Sequence, residues 1–249
     1  MVSKEMARCI AKISGDGYLY YRYIRYSNQC RELVDEFKQD ILKEFGNVKI
    51  TEGISNSGTP FAQIHGKRII NCFLDYLKDY RSFYIFIPEK IINSSLGVKR
   101  QFIRAFYDDE GSPSLRLSSK HMEWKRSISL CSNSYRILQE IKNILLNNFD
   151  IPSNRIIRNK PDSEEDRSYL LFITGRVNIV NFRNRIGFLH PTKKRKIDLI
   201  IESYGCGYIR NKEGFYWIFD EYNNLMKKKR TAFCGSRNRV QYNTERRPA

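Results

Sequence analysis

Residues 102–111 read FIRAFYDDEG, and the rest of the chain is organised around this stretch. Phe102, Ile103 and Phe106 place an apolar face at helical spacing, after which the run turns acidic at Asp108, Asp109 and Glu110 and stops at Gly111. A helix C-terminus carries partial negative charge and favours cations, so carboxylates there are electrostatically misplaced. Two explanations fit: a bound metal ion, or a solvated helix end followed by a glycine C-cap.

Working outward, the same pattern occurs once before. In EMARCIAKISGDG, residues 5–17, Met6, Cys9, Ile10 and Ile13 form a helical stripe that ends in Gly15-Asp16-Gly17. Aromatic-rich Tyr18–Tyr26 follows and reads as a strand, with Arg22 and Arg25 on it. Next come an amphipathic helix over 31–45, strands around Val48–Ile54 and Phe61–Ile64, and a helix over Ile69–Leu77. After FIRAFYDDEG the programme repeats. Leu115–Leu117 and Arg126–Cys131 are strand-like, Tyr135–Phe149 is amphipathic, Arg155–Arg158 and Tyr169–Ile173 are strands, and Asn178–Ile186 closes the round. Ile64-His65-Gly66-Lys67 with Ile70 and Phe73 mirrors Ile173-Thr174-Gly175-Arg176 with Ile179 and Phe182. Two rounds of helix–strand–strand–helix–strand–strand–helix indicate an internal duplication. The expected units are residues 1–98, residues 99–200, and a C-terminal extension over 201–249; the stretch from about Pro191 begins with the basic cluster Lys193–Lys196, and the chain ends in a basic tail, mobile or DNA-ordered.

If a pseudo-two-fold axis relates the halves, the two acid-ended helices are the natural contact. Ala7, Ala11 and Gly15 fall on one face of the first, and Ala105 and Asp109 on the second, so the backbones can approach closely. Asp16 and Glu110 then meet at the shared C-terminal end, where they repel unless a cation lies between them. Oxygen ligands with open positions fit Mg²⁺, which can activate water and stabilise a leaving 3′ oxygen in phosphodiester hydrolysis.

IAKISGDGYL and FIRAFYDDEGS resemble the two copies of the LAGLIDADG motif, with Asp16 and Glu110 standing 94 residues apart. The resemblance covers roughly residues 6–200 and includes GFLHPTKKRKI. It implies an α+β fold of two pseudo-symmetric αββαββα half-domains in one chain, packed through the motif helices, with two saddle-shaped antiparallel sheets over the DNA major groove. It implies a homing endonuclease that cuts both strands of a long site across the minor groove, leaving 3′ overhangs. The penultimate motif acids, Asp16 and Glu110, become metal ligands, with Gly15 and Asp109 beside them in the metal set. Mg²⁺ is the expected ion, Mn²⁺ substitutes, and Ca²⁺ binds without supporting cleavage. The family also places basic residues near the catalytic centre, for which the repeat alignment offers Lys67 and Arg176. The sequence departs from the motif at its sixth position, Ser14 and Asp108, and at Lys12, which stands where an apolar residue is usual.

Composition agrees with a nucleic-acid partner. Forty-four Lys and Arg against 27 Asp and Glu give a net charge of +17, which calls for a polyanion. Arg22, Arg25, Arg116, Lys120, Lys125, Arg126, Lys193 and Lys194 are the candidate groove or phosphate contacts. Ser27, Asn28 and Gln29, with Ser132, Asn133 and Ser134, read as N-caps. No apolar run approaches the roughly 20 residues that cross a bilayer. Six scattered cysteines without a C-x-x-C pair, and three histidines, argue for free thiols and against a structural zinc site. The expectation is a monomer inside a prokaryotic cell, in cytoplasm or nucleoid, or an organelle-encoded protein of a mitochondrion or chloroplast. An intron maturase, with host intron RNA as partner, or a DNA- or RNA-binding regulator without cleavage, is the alternative function.

Overall fold

The Ser3 side chain accepts a hydrogen bond from the Met6 amide at 2.9 Å and so starts the first helix, α1 (Lys4–Ser14). The computed structural model describes residues 2–77, 81–118, 123–159, 168–204, 215–219 and 225–229. After α1 come β1 (Gly17–Leu19), β2 (Tyr23–Ser27), α2 (Arg31–Phe45), β3 (Ile50–Ile54), β4 (Pro60–His65) and α3 (Lys67–Leu74). A short α4 (Glu89–Ile92) leads into the second round: α5 (Leu96–Glu110), β5 (Gly111–Ser118), β6 (Glu123–Ser132), α6 (Tyr135–Phe149), β7 (Ile157–Arg158), β8 (Tyr169–Thr174) and α7 (Arg176–Arg185). Then follow α8 (Pro191–Glu202) and an antiparallel pair, β9 (Phe215–Phe219) and β10 (Leu225–Lys229).

The duplication holds at the level of strand register. The two four-stranded antiparallel sheets have equivalent orders, β1-β2-β4-β3 and β5-β6-β8-β7. Gly17 pairs with Tyr26 and Tyr26 with Ala62; equivalently, Gly111 pairs with Leu130 and Leu130 with Leu171. Each sheet buries one face under helices and leaves the other open, as strand alternation dictates. In the first sheet Leu19, Ile24, Tyr26, Ala62 and Ile64 are buried, while Tyr18, Tyr23, Arg25, Gln63 and His65 lie on the open side. Among the described residues no helix is long and apolar enough to cross a membrane.

Several boundaries differ from the sequence reading. Residues 18–26 form a hairpin rather than one strand: Tyr20 and Tyr23 exchange backbone hydrogen bonds at 2.9 and 3.3 Å around Tyr21-Arg22. The turn resets the alternation, so Tyr18 and Arg25 share a face although they are an odd number of residues apart. A tight turn without glycine or proline gives no composition signal. The second half begins one residue before α5, at Ser95, so a boundary at 98/99 would cut the first turn of that helix. A boundary at 200/201 would likewise cut α8, whose basic start hid its helical character. Apart from Lys227–Lys229 in β10, the expected tail lies outside the described residues.

The halves meet along α1 and α5, where Ala7, Ala11 and Ala105 are fully buried. Small residues let the backbones close up, and at Gly15 the fit is tightest. A Cβ there would lie 2.9 Å from both Cβ and Oδ2 of Asp109. Around this seam sits a buried ionic network. Arg8 binds both carboxylate oxygens of Asp40, and Arg104 donates to Glu36 and to Asp108. Lys12, fully buried, donates to Leu33 O at 3.0 Å and pairs with Glu36 at 3.2 Å. The unusual motif lysine is therefore satisfied by α2, as a buried charge must be. Gly15→Val should lower the melting temperature, with a loss of about 1–3 kcal/mol from overpacking. Unchanged thermal unfolding would show that the halves do not meet at Gly15.

Candidate active site

Each motif helix ends at a sharp corner. A Cβ on Gly17 would stand 2.3 Å from Ile13 Cα, and one on Gly111 would stand 2.5 Å from Tyr107 O. Only glycine lets the chain fold straight back over the last helical turn into a strand. The residue before each glycine, Asp16 or Glu110, is thereby pinned at the corner, and the next strand leads directly away from it.

Glu110 senses Asp16 across the corner. Glu110 is pushed up to about 7 by burial, with repulsion from Asp16 adding to it and Lys193 opposing. Asp16 is open to solvent on one side, yet the protein behind it raises its carboxyl, against the pull of Lys193 and of a hydrogen bond from Asn28. The third acid, Asp109, points into the seam between the halves. Its Oδ1 accepts from Tyr26 Oη at 2.6 Å and from Asn28 Nδ2 at 3.3 Å, while its Oδ2 is buried without a partner. Burial holds this carboxyl well above the ordinary range, and Asp16 adds to that. Asp109, included with the metal set by sequence, is thus enclosed in the interface.

Asn28 is the residue that the sequence reading placed only as a cap. Its Oδ1 does accept from the Cys30 amide at 2.9 Å, at the entrance to α2. Its amide, however, donates to Asp16 at 2.7 Å as well as to Asp109, and so links an acid of one half to an acid of the other. The equivalent Asn133 gives its amide to Ser82 at 3.3 Å. The recurrence of Ser-Asn after β2 and β6 was visible in the sequence, but the direction of the amide was not.

α8 resolves the electrostatic misfit at the end of α5. Lys193 Nζ donates to the carbonyl oxygens of Tyr107 (3.4 Å), Asp108 and Asp109 (3.0 Å). In return, the Asp108 carboxylate accepts from the Leu189 and His190 amides at 2.9 and 3.0 Å, just ahead of α8. A cation thus caps the C-terminus of α5, and an anion sits at the start of α8. An ammonium has three donors and three carbonyls surround this one, so Lys193 is a cap and not the DNA contact expected from sequence.

Residues 97–187 match the LAGLIDADG-like domain family. Similar solved structures include mesophilic variants of the homing endonuclease I-DmoI, at TM-score 0.55 and 16% identity, over 79% of this chain and 97% of that one. I-WcaI bound to its DNA recognition sequence is similar at TM-score 0.52 and 15% identity, over 79% and 87% of the two chains. The chain has the two-motif LAGLIDADG fold. I-DmoI has also been solved in complex with DNA and Mn and with DNA and Ca. A probable translation initiation factor IF-2 of Methanocaldococcus jannaschii is 29% identical over 174 residues, 69% of this chain but 13% of that protein.

On the LAGLIDADG frame the remaining candidates separate by register. Arg25, Arg116 and Lys125 lie on open sheet faces, and Arg22 is exposed at the tip of the first hairpin. Arg126 does not belong with them. It pairs with buried Leu115 on the helix side of its sheet and donates to Ser203 Oγ at 2.7 Å and Ser203 O at 2.8 Å. The strand alternation that separates Lys125 from Arg126 could not be phased from sequence. Lys194 is exposed on α8, and Lys120 lies outside the described residues. Lys67 and Arg176 are exposed at the first residues of α3 and α7. Each lies past the end of a strand, β4 or β8, that runs outward from the position level with its motif glycine, Ala62 or Leu171. The structure therefore does not bring them to the acids, and Lys193 is the basic side chain that stands there.

Among the described residues no three His, Cys, Asp or Glu side chains form a metal cage. The two corner acids with open positions suit an ion that keeps several waters, as Mg²⁺ does. The raised Glu110 gives a pH test. Its folded value near 7 exceeds the ordinary 4.5, so the folded state holds the proton more tightly. That contribution to stability is full below about pH 4.5 and is lost as pH rises through 7. Glu110→Gln should therefore raise the melting temperature by a few degrees in chelator at pH 8, corresponding to about 1–3 kcal/mol. The gain should vanish near pH 4.5, and divalent cation should stabilise the parent more than the variant.

Proposed function

We propose that this chain is a site-specific DNA endonuclease that hydrolyses one phosphodiester in each strand, across the minor groove, and leaves 3′ overhangs. The observation that carries this reading is the pair of corner acids, Asp16 and Glu110, one from each half, at the shared end of two closely packed helices, where Asp16 raises the proton affinity of Glu110. A scaffold has no need to bring two carboxylates from duplicated halves to one corner. The open sheet faces, with Arg25, Arg116 and Lys125, supply the cations that a phosphate backbone requires.

Asp16 and Glu110 would hold the divalent cation, Mg²⁺ with Mn²⁺ as a substitute. When bound there, it supplies charge neutralisation at the scissile phosphate and at the leaving oxygen. The rest is done by the chain itself. Asn28 fixes the Asp16 carboxylate by a hydrogen bond, Tyr26 and Asp109 lock the two halves in register, and Lys193 holds the end of α5 against the repulsion of its own acids. Such preorganisation matters because small displacements of reacting groups cost large factors in rate. I-DmoI, which shares the fold, has been solved with DNA and Mn and with DNA and Ca, and this supports a divalent cation as the partner of such a site.

The test is incubation with a randomised duplex library in Mg²⁺, in Mn²⁺ and in Ca²⁺, for the parent and for Asp16→Asn. Cleavage is expected in Mg²⁺ and Mn²⁺ and not in Ca²⁺. Asp16→Asn should lose at least about a hundredfold in rate, on the order of the several kcal/mol that a metal contributes. Its DNA affinity should stay within about an order of magnitude, because the phosphate contacts of the sheets are untouched. Unimpaired cleavage by Asp16→Asn would overturn the assignment. Binding without cleavage, coupled to splicing of a host intron, would favour the maturase reading instead.

A further inference from the structure

The two open sheet faces differ in reach. In the N-terminal half β1 has three residues, and all five residues of β2, Tyr23 to Ser27, are backed by β4. In the C-terminal half the β6–β8 ladder ends at Ser127–Thr174, yet β5 and β6 continue for four more pairs, from Leu115–Arg126 to Ser118–Glu123. The second half thus carries a two-stranded ribbon that projects past its own sheet, and the first half carries none.

This ribbon is braced and charged. On its inner face Leu115 is buried, and Arg126 is tied to Ser203 at the end of α8, with its guanidinium 4.4 Å from the Tyr204 ring. On its open face Arg116 and Lys125 stand directly opposite one another, both exposed. Like charges in a cross-strand pair repel, and an anion lying between them offsets that cost. The first half is built otherwise. Arg25 donates to Gln63 at 2.8 Å and stacks 4.2 Å over Phe61, so much of its guanidinium is engaged within the protein.

We propose, resting on the endonuclease reading above, that the DNA site is read asymmetrically, with the β5–β6 ribbon specifying a long half-site and the β1–β2 hairpin a short one. Both strands start at the corner acids, so residues along a strand measure distance from the cut. A two-stranded ribbon fits the major groove. At about 3.3 Å per residue and about 3.4 Å per base pair, β5 reaches about eight base pairs and β1 about three, or about five with its turn. Arg116, five residues past Gly111, falls about five base pairs out.

The experiment selects a randomised duplex library twice with the intact protein: by binding in Ca²⁺ and by cleavage in Mg²⁺. The parent is compared with the double variant Arg116→Ala, Lys125→Ala and with Arg25→Ala. Sequence preference is expected to extend about eight base pairs on one side of the centre and about three to five on the other. The ribbon variant should lose preference on the long side only, with a fall in affinity of about 10- to 100-fold; Arg25→Ala should act on the short side. Thermal unfolding of the ribbon variant should be no weaker than that of the parent, since a repulsive pair has been removed. Equal reach on both sides, or relaxation of both sides by the ribbon variant, overturns the proposal. Asymmetric binding with no cleavage retains it while removing the endonuclease reading. A library from which neither step enriches a sequence removes both.

Discussion

The reciprocal clamp between the end of α5 and the start of α8 is the interaction on which the site depends. Glu110 must sit at a helix C-terminus, the place where a carboxylate is least welcome, with Asp108 and Asp109 just before it. Lys193 supplies the missing positive charge to the last carbonyls of α5, and Asp108 takes up the amides ahead of α8. Each helix end satisfies the other, so the acid cluster is held without a cation lying directly on Glu110. Both acids at the two corners keep their tendency to hold protons, and that tendency is what a divalent ion would relieve.

The clamp belongs to one half only. At the equivalent motif position in the first half, Ser14 turns its hydroxyl back to Ile10 O at 2.9 Å. The first half is instead fixed from within: Lys12 and Arg8 are bound by the acids of α2, and Tyr26 and Asn28 reach across to Asp109. Fused duplicated halves are free to diverge in this way. Each side of the corner is held by different chemistry, while the backbone corner, set by Gly17 and Gly111, stays the same.

α8 connects the corner acids to the β5–β6 ribbon. Its first turn caps the acid-bearing helix, and Arg126 ties the β5–β6 ribbon to Ser203 just past its end. A rigid element that touches both places fixes the distance between the corner acids and the exposed cations of the ribbon. The proposed cleavage at a set position in a long site would depend on such a fixed distance.

The sequence by itself determined the repeat, most of the element order, the two acids and the small-residue seam. Those are local matters: periodicity places Met6, Cys9, Ile10 and Ile13 on one stripe, and a glycine can be read wherever a chain must turn back. Tertiary structure decided which charges serve which purpose. Lys193 and Arg126 read as members of a basic surface and Lys12 as a charge at an apolar motif position, and all three are spent inside the protein, on a helix end, a strut and an ion pair. Lys67 and Arg176 read as neighbours of the acids by repeat position, and strand register carries them to the far ends of the sheets. A lysine's charge is written in the chain, but its partner is set by elements that meet only on folding, and strand phase changes face with a single residue of turn.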